Sequence, residues 1–276
     1  METLTIVKFG GSIITDKTEE KTPNLQAMRM LVEELKEHIT LTGEKVIVVN
    51  GGGSFPHPVA KKFHLNEGVA RCEEFGIRRK DALLALSECG FQASTINHLL
   101  WKEFLKQGVA AFSFRPSSMF LTRKGEVVRF YCEPLKRFLG MGGIPLLYGD
   151  VVLDLELGNS ILSGEKIIAT LVEYFATKRV IMCTNVDGIY DKDPRKYEDA
   201  KKIETFSEET FSQELELTEI FKTQDATGGM KHKVETLFQL MKKGVDSILC
   251  NGGVKGNLSK ALKGINSGTE FKARRE

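Results

Sequence analysis

Leu4-Thr5-Ile6-Val7-Lys8-Phe9-Gly10-Gly11-Ser12 begins as a short apolar run and ends on paired glycines. A run of this length, apolar on both faces and bounded by a turn signal, reads as a strand buried between two layers. Similar runs recur at Lys45–Val49, Val109–Phe114, Val127–Cys132, Ile144–Tyr148, Val151–Leu155, Arg179–Thr184 and Asp246–Cys250. Helical stretches separate them. Thr22 and Pro23 read as the cap and first residue of a helix to Ile39, with Leu25, Met28, Val32, Leu35 and Ile39 as its apolar stripe. Val69 to Gln107 reads as one or two helices, with a break near Gly90. Ser163 reads as the cap of a helix to about Lys178, and Thr227 to Lys243 as another that Gly244 stops. Strands alternating with helices predict an α/β fold, a doubly wound, mostly parallel sheet sandwiched by helices. No linker-like segment divides the chain, so residues 1–276 are expected to form one domain with two functional lobes, about 1–170 and 171–276.

Composition narrows the function. Lys+Arg 39 against Asp+Glu 37 leaves a formal charge of +2, which offers no global attraction to nucleic acid. Hydrophobic residues make up 41%, enough for a sizeable core. The five cysteines are odd in number and form no Cys-x-x-Cys pair, which fits a reducing cytoplasm better than a disulfide framework or a zinc site. No segment approaches the length of a membrane span, and a cytoplasmic protein is expected.

Three glycine clusters carry the chemistry. In Lys8-Phe9-Gly10-Gly11-Ser12, the glycines let backbone N–H groups approach an anion, and the lysine can neutralise it. Taken alone, this pair serves equally well as a tight turn after an edge strand. Asn50-Gly51-Gly52-Gly53-Ser54-Phe55-Pro56-His57 is harder to explain structurally, because each glycine costs chain entropy. A phosphate or carboxylate cradle at a strand's carboxyl end explains it better. Thr227-Gly228-Gly229-Met230-Lys231-His232-Lys233 opens a helix, whose free N–H groups and positive dipole end favour phosphate, with Lys233 one turn in. None of the three fits a Walker A loop or a dinucleotide-binding fingerprint.

These clusters, with Gly149-Asp150-Val151-x-x-Asp154 and Asn185-Val186-Asp187-Gly188-Ile189-Tyr190, occur in an order that resembles the amino acid kinase superfamily from end to end. His57 after the glycine triplet, Lys17 in Ser12-Ile13-Ile14-Thr15-Asp16-Lys17, and Gly253-Val254-Lys255-Gly256-Asn257-Leu258 followed by Gly268-Thr269 resemble its isopentenyl phosphate kinases. The resemblance implies ATP-dependent phosphorylation of isopentenyl phosphate. Lys8, Lys17 and Lys233 would surround the transferring phosphoryl group, a role that suits a reaction governed by positioning and charge. Gly10, Gly11 and Gly53 would offer N–H groups to it, Gly52 and Gly164 would line the acceptor, and Asp187 and Gly229 would lie near the nucleotide. His57 would bond the acceptor's phosphate. Glu165 stands where relatives often carry an aspartate that orients the lysines, and equally where a first-turn glutamate suits a helix dipole. ATP would bring Mg²⁺ held mainly by its phosphates, with no residue assigned to the metal, and a homodimer would be expected. Asn50 and Pro56 depart from the usual histidine and glycine. Phe75, Ile77, Leu83, Leu84, Leu86 and Phe91 are expected to offer lining for an apolar acceptor tail. The alternatives are a sister kinase for another phosphate, phosphonate (fosfomycin-like) or carboxylate, and a non-catalytic nucleotide- or anion-binding protein.

Overall fold

The computed structural model describes residues 4–16, 18–194, 196–209, 211 and 228–274. Lys17 and Thr227 therefore lie outside the described residues. In chain order, the first half carries β1 (Leu4–Phe9), α1 (Gly11–Ile14), α2 (Leu25–Thr42), β2 (Lys45–Asn50), α3 (His57–Lys62) and α4 (Arg79–Lys106). There follow β3 (Ala111–Ser113), β4 (Phe120–Arg123), β5 (Glu126–Phe130), α5 (Glu133–Gly140), β6 (Ile144–Tyr148), β7 (Asp150–Asp154) and β8 (Gly158–Leu162). The second half adds α6 (Gly164–Tyr174), β9 (Thr177–Thr184), β10 (Ile189–Tyr190), β11 (Lys202–Ile203) and β12 (Thr205–Ser207). It closes with α7 (Gly228–Lys242), β13 (Asp246–Asn251), α8 (Asn257–Leu262) and β14 (Gly268–Lys272).

Among the described residues, eight strands form the main sheet in the order β12-β14-β13-β9-β1-β2-β6-β3. The strands from β13 to β3 run parallel, while β14 opposes its neighbour β13 and β12 runs parallel to β14. The period-two pleat of β1 sends Leu4 and Ile6 into one core, with Ile167, Ile168 and Leu171 of α6 and Val234, Leu237 and Met241 of α7. Val7 and Phe9 enter the opposite core, with Met28, Leu31 and Leu35 of α2, Ile96 and Leu100 of α4, and Leu258 of α8. This is the expected sandwich, with helices on both faces.

Some expected elements sit elsewhere. The runs at 127–132 and 151–155 do not join the main sheet; they lie in a second sheet of order β5-β4-β7-β8. Its β4–β5 and β7–β8 pairs are antiparallel, as short hairpins allow. The α2 helix starts later than expected. Pro23 is held in a bridge with Thr15, and Asn24 caps the helix by accepting from Ala27 N at 3.1 Å. Leu25 thereby falls outside the buried stripe and is exposed. Val69–Phe75 forms a 3-10 helix, after which α4 runs unbroken through Gly90. Glycine there serves packing: a Cβ would stand 3.3 Å from a Val151 methyl group of β7, so α4 lies close on the second sheet. Ser163 caps α6 as expected, accepting from Lys166 N at 3.2 Å, but the helix ends at Tyr174 because β9 begins at Thr177.

Candidate active site

Chain order fixes the location of the cleft. After β1 the sheet grows outward through β2 and later β6 and β3, while β9 and β13 add on the other side of β1. Ligands of such sheets bind beyond the carboxyl ends of the strands where this reversal occurs. A cleft of about 1390 Å³ opens there, lined by Lys8, Gly10, Gly11, Gly52, Gly53 and His57 from the first half. Gly164, Asp187 and Lys233 line it from later in the chain. Gly229 lies in the first turn of α7, but that helix meets the cleft through Met230, His232 and Lys233.

The two loops after β1 and β2 lean on each other. Gly10 N donates to Cys183 O and Gly51 N to Phe9 O, both at 2.9 Å, so each loop is tied to a neighbouring strand. A Cβ on Gly51 would stand 2.6 Å from Gly11 N, so the backbones touch in a way that no side chain permits.

The pleat of β1 turns Lys8 to the α6 face, where it is buried at 5% exposure. Its ammonium pairs with Glu165 in the first turn of α6. Gly164 permits this, because a Cβ there would stand 2.9 Å from Lys8 Cε. Burial pushes the Glu165 carboxyl up; Lys8 beside it, joined by the charge of Lys233, more than offsets this and holds it below the ordinary range. Glu165 thus couples electrostatically to both lysines from the first turn of α6, a place compatible with both of its sequence readings.

His57 opens α3 after Pro56 and faces the cleft. Pro56 packs its ring against Gly52. The Oδ1 of Asn50 accepts from Asn97 Nδ2 at 2.8 Å, in a buried amide pair between β2 and α4. Asp187 follows β9 and accepts from Asn251 Nδ2 at 2.8 Å.

The expected tail lining is corrected. Phe75 stacks on His64, Leu84 and Phe91 are exposed, and Ile77 and Leu86 pack against a satellite core. None of these, nor Leu83, borders the cleft. The opposite face of α4 does, through Cys89 and Ala93, joined by Ala60, Val151, Ile161 and Leu162. These positions are four apart on α4, a spacing the sequence displays but cannot orient. Burial, with the charges of Asp150 and Glu88, pushes the Cys89 thiol up to about 12, so it stays protonated and behaves as apolar lining. Sequence reasoning gave Asp150 no role, although it borders the same wall. Its carboxylate accepts from Ser117 N at 3.2 Å and Val151 N at 2.9 Å, and burial pushes its pKa up. Thr18, Glu19 and Glu20, also unforeseen, reach the cleft from the hairpin that Thr15 and Pro23 close.

The model of the amino acid kinase family matches residues 3–251. The chain belongs to the amino acid kinase family. It is 30% identical over 262 residues to the isopentenyl phosphate kinase of Methanothermobacter thermautotrophicus, covering 94% of this chain and 95% of that one. It is 28% identical over 274 residues to the isopentenyl phosphate kinase of Methanocaldococcus jannaschii, covering 97% and 98%. A crystal structure of an isopentenyl phosphate kinase superposes with a TM-score of 0.81 at 26% identity, over 97% of this chain and 99% of the other. The glycine loops of this chain occupy the carboxyl ends of the central parallel strands β1 and β2.

Proposed function

We propose that the protein transfers the γ-phosphoryl group of ATP to a phosphate oxygen of isopentenyl phosphate, giving isopentenyl diphosphate and ADP. The observation that carries this reading is the meeting, in one cleft, of the Lys8–Glu165–Lys233 charge group with a His57-bearing loop and an apolar wall. Similarity over nearly the whole chain to isopentenyl phosphate kinases supports the choice of acceptor.

The charge chemistry follows from the residues. Lys8 and Lys233 offset the negative charge that spreads over the transferring group, while backbone N–H groups of Gly10, Gly11 and Gly53 orient it. Lys17 is assigned to the ATP phosphates, Asp187 and Gly229 to the nucleotide side, and Gly52, Gly164 and His57 to the acceptor. Apart from the phosphate-binding residues Lys8, Gly10, Gly11, Lys17 and Gly53, the lobe of about 1–170 serves the acceptor and that of about 171–276 the nucleotide. Of the carboxylates that line the cleft, Glu165 is engaged by Lys8, Asp150 by two amides and Asp187 by Asn251. That donor set fits Mg²⁺ arriving on ATP, ligated by phosphate oxygens and water. When bound, the cation neutralises phosphate charge.

Ala60, Cys89, Ala93 and Val151 suit a short branched hydrocarbon next to His57. An amide set against these side chains would go unpaired at a loss of about 1–3 kcal/mol. The same reading makes the protein cytoplasmic, its five cysteines being free and buried, and homodimeric, with exposed Leu84 and Phe91 of α4 as a contact. Sedimentation velocity tests the dimer. ADP release across an acceptor panel tests the reaction: isopentenyl phosphate should show the highest kcat/KM. Fosfomycin, glutamate, acetylglutamate or uridine monophosphate surpassing it would overturn the acceptor assignment.

A further inference from the structure

Thr15 lies at the end of α1, 3% exposed, and its hydroxyl joins two loops that belong to different strands. Its Oγ1 donates to Gly11 O at 2.7 Å, inside the glycine loop that follows β1. It also accepts from Ser54 N at 3.1 Å, inside the glycine loop that follows β2. The first bond is the ordinary threonine bond to a carbonyl four residues back and by itself signifies nothing. The second is long-range, spanning 39 residues of sequence. It is made to the residue that directly follows the glycine triplet.

The surroundings leave the hydroxyl no slack. A Cβ on Gly53 would run into Thr15 Oγ1 and would stand 2.7 Å from Gly11 O. The backbone of Thr15 pairs with Pro23, closing the hairpin whose Thr18, Glu19 and Glu20 border the cleft. From that hairpin, Lys21 N donates to Ser54 O at 3.2 Å, so Ser54 is gripped on its N–H by Thr15 and on its carbonyl by the hairpin. One hydroxyl thus bridges the two glycine loops at the point where the hairpin is rooted.

We infer that Thr15 is a positioning residue for phosphoryl transfer, its hydroxyl fixing the offset between the loop serving the transferred phosphoryl group and the loop serving the acceptor. This rests on the kinase reading above. Each loop keeps its own N–H groups without the hydroxyl, so each substrate still binds. What is lost is their mutual alignment, and transfer rates respond steeply to misplacements of an ångström or so.

Thr15→Val keeps the shape and removes the hydroxyl; Thr15→Ser keeps the hydroxyl and removes the methyl group. With the full chain and the best acceptor of the panel, Thr15→Val should lower kcat by roughly tenfold or more, while KM for ATP and for the acceptor each change by less than about threefold. Thr15→Ser should return kcat to within about threefold of the parent. Hydrogen exchange at the Ser54 amide reads the contact without any substrate: protection should persist in the parent and Thr15→Ser and fall in Thr15→Val. Unchanged Ser54 protection in Thr15→Val overturns the inference whatever the acceptor proves to be. So does an unchanged kcat, or a loss that Thr15→Ser fails to rescue and that follows the folded fraction in a thermal melt. A parent enzyme inactive on isopentenyl phosphate but active on another panel member overturns the acceptor assignment and leaves the Thr15 comparison to be made on that member.

Discussion

Lys8 sits in the central strand of the sheet, where an unpaired ammonium would be expensive to bury, and Glu165 is its compensation. Lys8→Ala and Lys233→Ala should each lower kcat by about a hundredfold or more, the scale of losing one charge contact to a transition state. Circular dichroism should show both folded. Thermal melts should separate them: Lys8→Ala leaves the Glu165 carboxylate buried without its partner and should melt lower, whereas half-buried Lys233 should matter little to the melt. Because the folded pKa of Glu165 is lowered from 4.5, its ion pair stabilises fully above that value. The contribution is lost as pH falls through the lowered folded value. Stability of the parent should therefore decline in that acid range with a slope that Glu165→Gln lacks, and Glu165→Gln should melt lower at neutral pH. His57→Ala removes a charge-assisted bond worth about 1.5–3 kcal/mol, so acceptor KM should rise while KM for ATP barely moves. Equal losses for both substrates would make His57 a scaffold residue.

Elements were legible to differing degrees, for physical reasons. The strands of the main sheet could be read because burial on both faces leaves continuous apolar runs, as in Leu4–Phe9 and Ile144–Tyr148. The strands β12 and β14 at its edge escaped notice, as did β4 and β8 of the second sheet: Phe120-Leu121-Thr122-Arg123 and Gly158-Asn159-Ser160-Ile161-Leu162 are short, mixed in polarity and held by hairpin partners. Of the site, the glycines and lysines were visible as motifs, whereas the tail wall was misassigned. Leu83, Leu84 and Phe91 are larger than Cys89 and Ala93, and composition cannot say which side of α4 faces the cleft. The helix start was misread because Thr22 and Asn24 are both good caps and only the Thr15–Pro23 bridge decides between them. Two substitutions check this. Asn24→Ala should destabilise by about 1 kcal/mol and Thr22→Ala by less than about 0.5 kcal/mol in chemical denaturation.

At the scale of the whole molecule, the far end of the sheet has its own cluster of contacts around the Glu44 carboxylate. Glu44 accepts from Thr5 Oγ1 at 2.7 Å and contacts His38 Nε2 at 2.6 Å, joining β1, α2 and the turn before β2. Burial pushes the Glu44 carboxyl up, but its bonds to His38 and Thr5 and the charge of Lys178 hold it below the usual range. Glu44→Ala should lower stability by about 1.5–3 kcal/mol while leaving kcat within about twofold, since the cleft lies at the opposite, carboxyl ends of the strands. A large fall in kcat would mean that the two ends of the sheet are mechanically coupled.

Lys8 shares its strand face with Leu4 and Ile6, and it stands opposite Val49 on one neighbour and Met182 on the other. Inserting one residue after Thr5 would invert everything that follows: the ammonium would be driven among the side chains of α2, and Val7 and Phe9 would turn toward α6. The error that kills the chemistry also ruins both cores, so a miscounted β1 leaves no folded but idle enzyme to compete for substrate. Catalytic competence and correct assembly are checked by the same alternation, at the first strand the chain makes.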